Sequence, residues 1–87
     1  MNVMKRLNLT WTKTKPGVWV LHLKGHRPEY GSNYGFIIKN LFGYDSIIQT
    51  PVTYTGSVPY SYTHKTLAES KASLIRRIAI MYPGRRK

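Results

Sequence analysis

The sequence predicts an α+β domain, an antiparallel sheet of three to four strands with one C-terminal helix packed on one face. Three observations predict it. Two alternating segments, 7–11 and 18–24, flank a Pro16-Gly17 pair. Two more β-rich segments follow at 34–42 and 47–54. The last third then changes to apolar residues at helical spacing behind a Thr-Leu-Ala-Glu opening. A helix crossing one sheet face is the simplest way to bury both apolar surfaces.

Leu7, Leu9 and Trp11 alternate with Asn8 and Thr10, the pattern of a half-buried strand. Pro16 presets φ for the second position of a turn and Gly17 accepts positive φ at the third, which reads as type II. Trp19, Leu21 and Leu23 then alternate with Val18, Val20 and His22, so the two runs form a hairpin. Residues 25–33 are rich in turn formers and read as a loop. Phe36, Ile37 and Ile38 centre a third strand, and Gly43-Tyr44-Asp45-Ser46 reads as a turn. The fourth strand, 47–54, contains Pro51, which assigns it to an edge or a bulge. Residues 55–63 read as irregular.

Thr66 and Glu69 fit a capping box, in which the hydroxyl accepts from an orphan backbone N–H. Leu67, Leu74, Ile75, Ile78 and Tyr82 fall on one helical stripe, and Pro83-Gly84 ends it. Residues 1–84 therefore read as one domain, followed by a basic tail, Arg85-Arg86-Lys87.

Fourteen Lys and Arg stand against three acidic residues, a formal charge of +11. Such an excess opposes compaction through self-repulsion. It points to a polyanionic partner: DNA, RNA, anionic lipid or an acidic protein surface. The absence of Cys removes disulfides, thiolate nucleophiles and Cys-based zinc sites, and it favours a cytoplasmic setting. No glycine-rich phosphate loop is present, and no cofactor or metal is expected. His22 and His26 lie four apart, but turn formers follow them and no third ligand is evident. No membrane partner is expected, because the apolar runs are short and the helix offers Tyr rather than a Trp and Phe face.

The candidate binding residues fall in four groups. Lys13 and Lys15 sit at the hairpin tip, with His22 and Lys24 on the face away from the helix; a two-stranded ribbon fits a major groove. Lysines at a tip also serve solubility. His26, Arg27 and Tyr30 form a basic and aromatic cluster of the kind that holds single strands. Arg76 sits opposite the apolar stripe of the helix and Arg77 flanks the stripe, together giving a basic outer face, and Lys71 falls within the stripe with its stem along it. Arg85, Arg86 and Lys87 form a terminal arm. Catalysis has weaker support, and the expectation is a non-enzyme. Three histidines, His22, His26 and His64, offer general acid or base groups, and His26, Arg27, Glu29 and Tyr30 are the nearest set for a small ribonuclease.

Trp19-Val20-Leu21-His22-Leu23 in a hairpin strand, and His64 through Ala72 opening the terminal helix, resemble small sheet-plus-helix DNA-binding domains of the plant AP2 type and the arm-binding type of phage integrases. The resemblance covers about a third of the chain. It implies a sheet that enters the major groove, with Lys13, Lys15, His22 and Lys24 in that role. The chain departs from those domains in its long path, 25–65, between second strand and helix.

The resulting expectation is a small basic nucleic-acid-binding protein, DNA ahead of RNA, with weak sequence preference. The alternative from another class is a phage-type inhibitor or interaction protein that docks on an acidic protein surface; a ribonuclease toxin ranks third. An exposed edge strand leaves homo-dimer formation open.

Overall fold

The computed structural model describes residues 3–27, 33–49 and 61–81. A short helix α1 (Val3–Arg6) leads into strands β1 (Leu9–Lys15), β2 (Val18–Leu23), β3 (Asn33–Asn40), β4 (Gly43–Ile48) and β5 (Ser61–His64), and helix α2 (Leu67–Met81) closes the chain. The strands form one sheet in sequence order, β1-β2-β3-β4-β5, with every neighbouring pair antiparallel. The α+β class and the C-terminal helix on the sheet stand as the sequence predicts. The strand number is five rather than three to four.

Directly paired residues of an antiparallel sheet share a face. Trp11, Leu21, Gly35 and Ile48 therefore form one row, and Trp19, Ile37 and Ser46 another, all on the side of α2. Leu74 and Ile78 descend from α2 onto these rows, and Val3 of α1 joins the same core. Helix α2 lies mainly over β4, with β3 and β5 beside it, while α1 covers β1. Gly35 is what lets the helix come so close. A Cβ there would stand 2.8 Å from the Ile47 carbonyl oxygen and 2.8 Å from a Leu74 methyl carbon.

Polar latches fasten the same interface. The Ser70 hydroxyl donates to the Tyr44 carbonyl at 2.7 Å. Arg77 is 4% exposed; its Nε donates to the Ser73 carbonyl at 3.3 Å, and its Nη2 reaches both the carbonyl and the hydroxyl of Ser46. Expected beside the apolar stripe as part of a basic outer face, Arg77 instead lies between helix and sheet. Ser70 and Ser73 on the same side are too small to fill the gap, so the long guanidinium side chain spans it.

The local signals at the turn and the cap hold. Gly17 has φ of +80°, as the third position of a type II turn requires, and Lys15 pairs with Val18 across it. Thr66 Oγ1 accepts the Glu69 N–H at 3.1 Å. The first strand begins at Leu9 rather than Leu7, because Asn8 takes a left-handed conformation (φ +59°) and ends α1. Segment 43–46 is not a turn: it is the first part of β4, and the reversal falls at Leu41-Phe42, with Asn40 opposite Gly43. The end of the segment read as irregular, 61–63, pairs with β4 together with His64 as the fifth strand. Of the predicted loop 25–33, Asn33 is the first residue of β3, and residues 28–32, like segment 50–60 with Pro51 and the Pro83-Gly84 stop, lie outside the described residues.

Candidate functional site

The antiparallel order sends three connections to the same end of the sheet. The Pro16-Gly17 turn, the Leu41-Phe42 turn and the β5–α2 junction all meet there, because Val18 pairs with Ile38, Lys39 with Tyr44, and Tyr44 with His64. The first turn is bonded to the end of β3, where the Lys39 N–H donates to the Gly17 carbonyl at 2.8 Å. Gly43 seats the third. A Cβ on Gly43 would stand 2.2 Å from the His64 carbonyl oxygen, and Lys65 Cα lies 3.5 Å from the same position.

This turn end gathers Lys13, Lys15, Lys39 and Lys65, all exposed. Two acidic groups lie nearby. Glu69 is exposed in the first turn of α2. Asp45 is engaged through both carboxylate oxygens, accepting from Thr63 Oγ1 at 2.5 Å and from Asn40 Nδ2 at 2.7 Å. Beside the turn end, half-buried aromatic rings carry cations. Lys13 Nζ stands 5.6 Å from the Trp19 ring centre, Trp19 meets Tyr44 at 5.8 Å, and Lys71 Nζ lies 5.2 Å from Trp11. A cation over a ring face is held without losing its access to an anion.

The residues singled out from sequence separate into distinct places. Lys13 and Lys15 are exposed at the hairpin tip. Register puts Lys13 beside Trp19 on the helix side, whereas Lys15, after a bulge, sits opposite Val18 on the other. His22 does lie on the face away from α2, but it is only 4% exposed. Its Nδ1 donates to the Leu23 carbonyl at 2.9 Å and its Nε2 bonds the Thr12 hydroxyl at 2.7 Å. A histidine bound at both nitrogens and shielded from solvent is a structural residue. Lys24, His26 and Arg27 are exposed at the opposite end of the sheet. Arg76 is exposed and, with Arg6, rims an apolar hollow of about 450 Å³ between Val3 of α1 and Ala72, Ile75 and Ala79 of α2. Arg77 is internal, as described above. Glu29, Tyr30, Arg85, Arg86 and Lys87 lie outside the described residues.

The face of the sheet away from α2 is not a basic platform. Register places Thr10, Thr12, Val18, Val20, Phe36, Ile38, Asp45, Ile47 and Thr63 there, with Lys15 at its margin. The three histidines also stay apart: His22 is internal, His26 follows β2 at one end and His64 closes β5 at the other. Among the described residues no three His, Asp or Glu side chains gather to hold a metal ion, and no helix is long and apolar enough to cross a membrane.

Four residues of the turn end escaped the sequence reading: Lys39, Lys65, Leu41 and Phe42. Leu41 is 97% and Phe42 84% exposed at the very tip of the β3–β4 hairpin. Lys39 and Lys65 lie 26 residues apart in sequence (65 minus 39) and meet only through the pairing of β3, β4 and β5. The apolar pair was legible as an anomaly, since hairpin turns favour Asn and Gly. The chain matches no protein-family model, no curated protein and no solved structure.

Proposed function

We propose that this chain binds nucleic acid, duplex DNA ahead of RNA, with weak sequence preference, and that the turn end of the sheet is its docking surface. The observation that supports it is the gathering of Lys13, Lys15, Lys39 and Lys65 at one end, where Asp45 is already bonded to Thr63 and Asn40. Four ammonium groups beside the turns put positive charge on both faces of this end, and the chain as a whole carries +11. Phosphate contacts of this kind supply affinity without reading bases. Lys71 over Trp11 and Lys13 over Trp19 extend the positive surface along the helix side. DNA ranks ahead of RNA because the B-form duplex has grooves that protein elements enter and base steps that open and kink, whereas the A-form duplex is recognised mostly by its shape and backbone.

The test is duplex binding across a salt series. Neutralising four phosphates gives a log–log slope of roughly −3 to −4, so affinity should fall roughly 100-fold between about 50 and 200 mM salt. A flat response would overturn the reading. Capture of a stoichiometric acidic protein that survives nuclease, with no duplex binding, would move the same surface to a protein partner.

A further inference from the structure

We propose that the Leu41-Phe42 tip is a wedge that enters the minor groove of duplex DNA and parts a base step, while the surrounding lysines hold the flanking phosphates; this rests on the nucleic-acid reading above and names how the duplex is engaged. The two side chains are the most exposed large apolar groups among the described residues. The core does not use them, and a two-residue hairpin turn has no structural need of Leu and Phe.

The tip is braced. Asn40 Oδ1 accepts the Phe42 N–H at 2.8 Å, Asn40 Nδ2 donates to Asp45, and Asp45 accepts from Thr63 of β5. This chain of bonds ties the turn to the edge of the sheet, so the apolar pair is presented in one geometry before any partner arrives. Preorganisation of that kind lowers the ordering cost of binding.

The cations bracket the tip. Lys15 is carried at the end of β1, and Lys65 follows β5. Each strand is two places from β3, about 10 Å away at the usual strand spacing. Positive charge therefore stands on both sides of the Leu-Phe pair, as phosphates stand on both walls of a groove. Architectural proteins that kink DNA combine these parts, an apolar side chain between base pairs and basic groups on the backbone beside it. A lipid surface asks for a broad apolar face, and this tip is two residues wide between Asn40 and Gly43.

The experiment uses the full chain, a duplex with a central TA step, 2-aminopurine beside that step, and fluorophores at both ends for energy transfer. TA steps unstack readily. Binding of the parent chain should raise 2-aminopurine emission and bring the ends together. The double variant Leu41→Ser, Phe42→Ser should bind about tenfold more weakly, with the salt slope retained and both optical changes lost. Binding by the parent with a normal salt slope but no bend and no 2-aminopurine change would overturn the wedge and leave the docking surface standing. Equal bending by the double variant would also overturn it. No salt-dependent binding to any duplex would overturn the nucleic-acid reading and the wedge with it. Phe42-dependent binding to vesicles of mixed phosphatidylserine and phosphatidylcholine, without duplex bending, would reassign the tip to lipid.

Discussion

The face under α2 and the turn end of the sheet are built from the same kinds of residue to opposite effect. Under α2, Leu74 and Ile78 are sealed against Leu21, Ile37 and Ile48, and hydrogen bonds from Ser70 and Arg77 latch the helix to β4. At the turn end, Leu41 and Phe42 project into solvent, and hydrogen bonds from Asn40 and Thr63 hold their turn in shape. In the first region polar bonds support apolar burial. In the second they support apolar exposure. Burial of the Leu74 side chain contributes to stability, while the same chemistry at Leu41 contributes nothing until a partner covers it. The fold and the proposed docking role are thereby separable by substitution.

The largest effect on this contrast is expected from Leu74→Ala. The side chain is fully buried over Gly35, and its truncation should cost about 2–5 kcal/mol in urea unfolding, with binding affected only through the loss of folded protein. Arg77→Ala comes next. It removes the donors that reach Ser46 and leaves a gap between helix and sheet; a loss of about 1–3 kcal/mol is expected by thermal or urea denaturation. Last is the double variant Leu41→Ser, Phe42→Ser. Exposed positions away from such features usually stay within about 0.5 kcal/mol, and that is the expected change in unfolding free energy here. A large destabilisation at the tip would erase the distinction between the two regions.

Much of the fold was legible, for identifiable reasons. The Pro16-Gly17 turn and the Thr66 cap are local devices whose partners lie within a few residues, so their chemistry shows in sequence. The β-branched and aromatic run 18–23 likewise reads as a strand, although Val20 and His22 on one face are buried along with Leu21 on the other. What failed was long-range. Gly43, Tyr44, Asp45 and Ser46 carry the composition of a turn, yet they form the start of β4 because distant groups complete them. Gly43 makes room for the His64 carbonyl, Tyr44 accepts from Ser70, Asp45 from Thr63, and Ser46 meets Arg77. β5 has no apolar alternation to announce it: Ser61, Tyr62 and Thr63 are exposed, and its backbone pairing with β4 defines it. Arg77 was misplaced for the same reason. A wheel puts it beside the apolar stripe and its charge suggests solvent, whereas the small Ser70 and Ser73 beside it open the space into which it folds.

Of the proposed docking surface, only Lys13 and Lys15 were legible, which a two-residue turn puts at a tip whatever the rest of the chain does. Lys39 and Lys65 join them by register, and register across five strands is a tertiary property. His22 shows the converse. Its face was foreseen, but its two hydrogen bonds and its burial depend on Thr12 across the pair and on what encloses it.

The most direct measurement compares salt slopes for duplex binding between the parent chain and two charge variants. One carries Gln at positions 13, 15, 39 and 65; the other replaces Lys24 and Arg27 with Gln at the opposite end. The turn-end variant should lose about 0.9 of slope for each phosphate released, while the other should keep a slope close to the parent's. Equal loss in both variants, or greater loss in the second, would contradict the assignment of the docking surface to the turn end.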